Sequence, residues 1–329
     1  MYNSVLKTYV RVVGGFFAIL FFPSTSYALG AITFTTSPEF PLPQSQVSIS
    51  ASSYAVDLGA SDIAWYIDGK PIKHGIGLAT FEFETGEIGK KIVVQMVIPN
   101  SPQGVVKEEI VIIPTITDVL WEADTYTPPF YRGKALPTHR SKVKATVVSS
   151  AGKNVSVSPI NFKWTVNRTL GLGSGVHKQS VSIETGWPKS SLPLKVTGQA
   201  VENPDLKIGG QISLPSNSPV VRFYEVTPLQ GVRYAKELSN GFVPRANTSN
   251  KIKVVPYFVS KSDYLSGKVQ STWSIENKKV SGDGFLNQYL TLPENENATP
   301  QTIGFLLQNT NTERLLQKGS GTFTINTKS

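Results

Sequence analysis

The sequence predicts an all-β chain of three tandem β-sandwiches, and three observations carry that prediction. A tryptophan-centred pattern recurs three times, apolar residues alternate with period two, and Gly or Pro punctuates the chain roughly every eight to twelve residues. Ile63-Ala64-Trp65-Tyr66-Ile67 precedes a turn and then Phe81-Glu82-Phe83-Glu84-Thr85-Gly86. Phe162-Lys163-Trp164-Thr165-Val166 precedes a turn and then Val181-Ser182-Ile183-Glu184-Thr185-Gly186. Thr272-Trp273-Ser274-Ile275 precedes Tyr289-Leu290-Thr291-Leu292. A spacing of about a hundred residues matches the common size of one folding unit. Trp65, Trp164 and Trp273 are therefore read as core residues, one per unit.

The elements follow in the same order in each unit. In residues 29–114 they are Ile32–Phe34, Val47–Ala51, the Trp65 strand, a turn at Asp68-Gly69, Phe81–Phe83, Ile92–Ile98 and Glu109–Ile113. Residues 115–215 repeat this with Val119–Trp121, Val143–Val148, the Trp164 strand, Val181–Ile183, Leu194–Val201 and Gln211–Leu214. Residues 216–329 repeat it with Val220–Tyr224, Ile252–Val259, the Trp273 strand, Tyr289–Leu292, Ile303–Leu307 and Thr322–Ile325. Pro114 and Pro215 mark the joints, where proline ends a last strand. Outside the N-terminal segment, no window sustains a helical stripe.

Residues 1–28 read as a signal peptide rather than a transmembrane anchor. Lys7 and Arg11 precede an apolar run, Val12–Phe22, that is short for a membrane span, and Ser26-Tyr27-Ala28 suits cleavage before Leu29. No second apolar stretch follows, so no transmembrane span is expected in the mature chain. The sequence has no cysteine, so packing alone must hold an exported fold. The net charge of +9 comes from scattered lysines rather than a basic face with interleaved aromatics, so no nucleic-acid partner is expected.

Seven or so short strands around a central tryptophan resemble an immunoglobulin-like or PKD-like sandwich without the flanking disulfide. Leu120-Trp121-Glu122-Ala123-Asp124 and the stretch Tyr126–Pro137 resemble a segment of uncharacterised exported bacterial proteins built of tandem Ig-like repeats. That resemblance implies a fold and an exported location, and brings no activity with it.

Catalytic chemistry finds little support. His74, His139 and His177 are the only histidines, and none has an Asp, Glu or second His near it in sequence to complete a catalytic or metal set. Glu84 and Glu184 recur within Glu-Thr-Gly, which reads as a strand-to-turn signal with Gly at positive φ. Asp118, Glu122 and Asp124 share strand parity near the first joint but supply three ligands at best, short of a calcium site. The Asn154, Asn167, Asn247 and Asn297 sequons read as chance matches. No enzyme activity, cofactor or metal is expected.

The aromatic-proline stretch is the strongest binding feature. Trp121, Tyr126, Phe130, Tyr131 and Arg132 flank Pro128-Pro129, whose stiffness lowers the entropic cost of presenting rings. The opposing reading packs these rings on their own sandwich or against the first joint, and Thr227–Pro244 repeats such a long segment in the third unit. The expected function is an exported spacer and protein-binding module of the cell surface or periplasm. The alternative is a carbohydrate-binding or adhesin module. The partner is accordingly an unknown protein or a surface polysaccharide.

Overall fold

The computed structural model describes residues 32–102, 104–152, 159–167, 169–170, 173–244, 250–292 and 300–326. The signal segment, Asn154, Asn247 and Asn297 lie outside them. The described chain is three tandem immunoglobulin-like β-sandwiches, each with its own buried core.

In the first sandwich the strands are β1 (Ile32–Ser37), β2 (Gln46–Ser53), β3 (Asp62–Ile67), β4 (Lys70–Ile76), β5 (Thr80–Glu84), β6 (Ile92–Ser101) and β7 (Gly104–Ile112). They form sheets in the orders β1-β2-β5 and β4-β3-β6-β7. The second contains β8 (Ile116–Ala123), β9 (Lys142–Ser150), β10 (Ile160–Val166), β11 (Thr169–Leu170), β12 (Gly175–Val176), β13 (Ser180–Glu184), β14 (Ser191–Ala200) and β15 (Lys207–Pro215). Its sheets run β13-β9-β8 and β11-β10-β14-β15, with β12 also on β10. The third contains β16 (Val220–Thr227), β17 (Gly231–Glu237), β18 (Asn250–Tyr257), the short helix α1 (Lys261–Leu265), β19 (Val269–Ile275), β20 (Lys278–Val280), β21 (Tyr289–Leu292), β22 (Gln301–Asn309) and β23 (Lys318–Ile325). Its sheets run β17-β16-β18-β21 and β20-β19-β22-β23.

Period-two alternation explains the layers. In β6, Ile92, Val94, Met96 and Ile98 point inward and are buried, while the intervening residues are more exposed. Trp65, Trp164 and Trp273 are fully buried between their sheets. A buried indole N–H needs an acceptor, and each finds one two residues before the strand that enters the opposite sheet, β5, β13 or β21. Trp65 Nε1 donates to the Leu78 carbonyl at 2.8 Å, Trp164 Nε1 to Lys178 at 2.8 Å and Trp273 Nε1 to Asn287 at 2.6 Å. The tryptophan thus fills the core and ties down the crossing between the sheets.

The Glu-Thr-Gly repeat has a different cause from the one the sequence suggests. Gly86 and Gly186 are not among the residues with positive φ. The buried threonine carries the structure instead. Thr85 Oγ1 donates to the Leu42 carbonyl at 2.6 Å and accepts from Ser45 N at 3.0 Å. Thr185 Oγ1 repeats this with the Thr138 carbonyl and Ser141 N. Each threonine anchors the segment joining the first two strands of its sandwich, while Glu84 and Glu184 point outward.

Several elements depart from the sequence reading, β11, β12 and β20 among them, and three others are instructive. β4 occupies what reads as a Gly/Lys turn, because Asp68 (φ 48°) and Gly69 (φ 77°) make a two-residue hairpin turn with both φ values positive. The long segment of the third unit is not an open loop. Residues Gly231–Glu237 fold back as β17 against β16. Helix α1 is too short to leave a periodic stripe, and Ser260 caps it by accepting from Asp263 N.

Candidate functional site

The two joints between sandwiches are built differently, and the residues singled out from sequence lie at the second of them. After β8, the chain from Asp124 to Thr138 crosses onto the third sandwich. Tyr126 N donates to the Val259 carbonyl and Phe258 N donates to the Tyr126 carbonyl, both at 2.7 Å. Thr125 bridges Ser260 antiparallel, and Thr138 bridges Asn217 in parallel.

The rings follow the backbone. Tyr126 packs against the third core, its ring 4.2 Å from that of Tyr264. Phe130 stacks on Tyr234 at 4.0 Å and meets Tyr224 edge-on at 5.9 Å. Tyr131 meets Tyr257 and Phe258 edge-on at 5.4 and 5.7 Å. Phe258 sits at φ 65°, a left-handed conformation costly for a bulky residue, and this pairing holds it there. The stretch therefore braces the second sandwich to the third, not to its own sandwich or to the first joint. Trp121 packs against the second core, with Lys134 Nζ 3.4 Å from its ring centroid. Arg132 is exposed. A coplanar exposed sugar platform from Trp121, Tyr126, Phe130 and Tyr131 is not present, because the ring faces are taken up by internal packing.

A polar clamp sits beside the rings. Buried Asp263 accepts from Asn309 Nδ2 at 2.8 Å, Asn311 Nδ2 at 3.3 Å and Arg314 Nη1 at 3.2 Å. Burial raises its pKa, but these donors outweigh that and hold it below the usual carboxylate value. Arg314 Nε then donates to the Arg140 carbonyl at 3.2 Å, and Gln317 Nε2 to the His139 carbonyl at 2.7 Å. The clamp thus grips the second sandwich through its backbone, which no side-chain motif announces. Burial also raises the Tyr126 and Tyr264 hydroxyl pKa values, so both rings stay neutral.

The first joint is smaller and leaves a cleft. Ile113, Ala151, Ala200 and Leu206 form a minor apolar cluster, and Phe40 lies over Gly209, where an added Cβ would fall 2.1 Å from the ring. Two exposed ion pairs flank it, Lys195–Glu39 at 2.5 Å and Lys91–Asp205 at 3.2 Å. Between the sandwiches lies a cavity of about 720 Å³, with Phe34, Phe40, Ile110 and Ile112 among its apolar lining and Asn161, Lys163, Gln199 and Lys207 among its polar lining.

No protein-family model and no curated protein matches the sequence. Solved structures do. The chain is similar to the three N-terminal domains of the highly immunogenic outer capsid protein Hoc of bacteriophage RB49, at 11% identity over 91% of this chain and 98% of that one, TM-score 0.25. It is similar to the central fibronectin-III array of RIM-binding protein, at 12% identity over 90% and 96%, TM-score 0.32. A third similarity is to SGBP-B of the Bacteroides ovatus mixed-linkage glucan utilization locus, solved with a mixed-linkage heptasaccharide, at 11% identity over 88% and 65%, TM-score 0.22. All three TM-scores lie below 0.5, and the fold is defined by this chain's own sheets and buried cores.

The histidines are dispersed. His74 lies within β4, and its Nε2 stands 2.9 Å from Asp62 Oδ1 across the hairpin. A carboxylate therefore does sit beside His74, contrary to the sequence reading, because hairpin register joins residues twelve apart. The pair is exposed, and no nucleophile bonds to it among the described residues. His177 lies in the turn after β12, with its backbone N–H bonded to the Ile160 carbonyl. His139 Nδ1 pairs with the Gly186 carbonyl at 3.0 Å, and its ring stacks on Trp187 at 5.5 Å. Asp118, Glu122 and Asp124 are exposed, and no three His, Cys, Asp or Glu among the described residues are grouped to hold a metal ion. Among the described residues, no helix is long and apolar enough to cross a membrane.

Trp187 is the residue that sequence reasoning missed. It is 70% exposed, rare for so large a ring, and the Trp-Pro dipeptide following Glu-Thr-Gly was its only sequence signal.

Proposed function

We propose that this chain is an exported, non-enzymatic structural and interaction protein of the cell surface or periplasm. In it, residues 1–28 are removed and units 29–114, 115–215 and 216–329 act as a spacer that presents a binding surface. One observation carries the reading. The Asp124–Thr138 segment is paired by backbone and stacked by rings on the third sandwich, which makes the second and third sandwiches a stiff pair. Within it Tyr126, Phe130 and Tyr131 set the angle between units, Trp121 anchors the segment's start, and Arg132 with the exposed edge of Phe130 faces a partner. The core tryptophans Trp65, Trp164 and Trp273 support the surface without touching a ligand.

The test combines location with rigidity. Fractionation and N-terminal sequencing of the expressed protein should find a mature chain starting at Leu29 outside the cytoplasm. Calorimetry of that chain should show the second and third sandwiches melting together. A cytoplasmic uncleaved product, or three independent transitions, would overturn the proposal.

A second reading, a surface polysaccharide as partner, is favoured by Trp187. Its exposed ring is backed by His139 and suits sugar stacking. Glycan-array binding that Trp187→Ala abolishes supports it; binding unchanged in that variant removes it.

A further inference from the structure

The first sandwich is open along one edge where the other two are closed. Strand registers define equivalent positions. Trp65 lies opposite Met96, which lies opposite Glu108. Trp164 lies opposite Val196 and then Gly210, and Trp273 lies opposite Phe305 and then Gly321. Glycine in the last strand therefore stands where the first sandwich has glutamate.

The glycines permit a close approach between first and last strands. A Cβ on Gly210 would lie 2.9 Å from Val119 of β8, and one on Gly321 would lie 2.8 Å from Val221 and Phe223 of β16. Thus β8 packs on β15 and β16 on β23, while β1 and β7 are not packed together in this way. Each is the free edge of its sheet.

The cleft at the first joint continues this opening. Its walls include the consecutive residues 34–36 of β1 and 110–112 of β7. Consecutive strand residues point to opposite faces, so a wall that contains them in sequence is a strand edge, with main-chain donors and acceptors available. The far wall is the outer face of β10, β14 and β15, which contributes Lys163 and Lys207. Glu39 and Asp205 also line the cleft, but each carboxylate is paired, with Lys195 and Lys91 respectively. Lys163 and Lys207 have no carboxylate partner among the described residues, and they give the wall formed by β10, β14 and β15 an uncompensated positive charge on either side of β14.

We infer that this open edge receives one extended peptide segment of a partner protein. It pairs by main chain with β1 or β7, sets apolar side chains against Phe34, Ile110 and Ile112, and places an acidic residue between Lys163 and Lys207. Main-chain pairing supplies affinity in such strand addition, and side-chain pockets supply selectivity. The inference rests on the interaction-protein reading and gives that partner a location and a chemistry.

The test uses the full chain and a panel of acetylated decapeptides with valine at alternate positions, ending in two Asp, two Asn or two Lys residues, with a polyuronate oligosaccharide as a separate arm. Fluorescence anisotropy should rank Asp-ended above Asn-ended above Lys-ended peptides. Hydrogen exchange should slow in β1 and β7. The double variant Lys163→Glu/Lys207→Glu should weaken the Asp-ended peptide at least ten-fold without shifting the melting temperature. Thr35→Trp, which fills the cleft from an exposed position, should abolish binding of all three peptides. Equal affinity across the panel, protection elsewhere, or no peptide binding overturns the inference. Polyuronate binding that the double variant removes, without peptide binding, overturns it in favour of a glycan. A protein partner mapped to Phe130 and Arg132 overturns the cleft assignment while leaving the interaction reading intact.

Discussion

The first and second joints connect similar folds by opposite means. At the first, the segment between the opening strands runs only from 38 to 45, and contact reduces to Phe40 over Gly209, a small apolar cluster and two exposed ion pairs. At the second, the corresponding segment runs from 124 to 141, long enough to leave its sandwich, pair with the next and return. Both segments are anchored at home by the same buried threonine, Thr85 or Thr185. Extra chain between two equivalent attachment points thus lets the second sandwich pair directly with the third, as the first does not with the second. Exposed ion pairs contribute at most about 1 kcal/mol each, whereas aromatic pairs add about 0.5–1.5 kcal/mol each beyond their burial. The second joint should therefore resist motion that the first allows.

The largest test of this contrast is removal of a core tryptophan. Trp164→Ala and Trp65→Ala should each cost their sandwich about 3–5 kcal/mol through lost burial, a cavity and an orphaned carbonyl. Calorimetry should show Trp164→Ala lowering the melting of the second and third sandwiches together, while Trp65→Ala lowers that of the first alone. Next in size, Tyr126→Ala with Phe130→Ala should split the shared transition in two, at a cost of about 2–4 kcal/mol, because Tyr126 is only half-buried and Phe130 is exposed, so each truncation falls below the range for core aromatics. X-ray scattering should then show a broader distribution of molecular lengths.

Acidification gives a smaller effect. Asp263 titrates below its unfolded value, so its contribution is complete above about pH 4 and is lost as pH falls through its lower folded value. Melting of the paired sandwiches should drop below about pH 4 more steeply in the native chain than in Asp263→Asn. The smallest effect belongs to the first joint. Lys195→Ala should change stability by less than about 1 kcal/mol, yet it should widen the angle distribution at that joint, most visibly at low salt.

Much of the fold could be read from the sequence because its causes are local. Alternation within β6 and β14, the turn at Asp68-Gly69 and the spacing of the tryptophans all concern residues close along the chain. The brace could be read as an unusual segment but not as a brace. Tyr126 meets Tyr264, Arg314 meets Arg140 and Gln317 meets His139 across more than a hundred residues, the last two through backbone carbonyls that any sequence supplies. The second strand of the third unit was hidden for a related reason, since β17 is an exposed edge with no buried face to impose alternation. Glu108, Gly210 and Gly321 illustrate both sides. Their identities are plain in the sequence, but their equivalence appears only through strand register.

The sequence by itself determined three all-β units, their order and the residue at the centre of each core. Period-two burial and a lone large indole leave few other solutions. Only the tertiary structure decided that the aromatic-proline segment belongs to the next sandwich, and that the first sandwich keeps an open edge. Both depend on which surfaces meet across distant parts of the chain, and pairwise proximity of that kind carries no local signature.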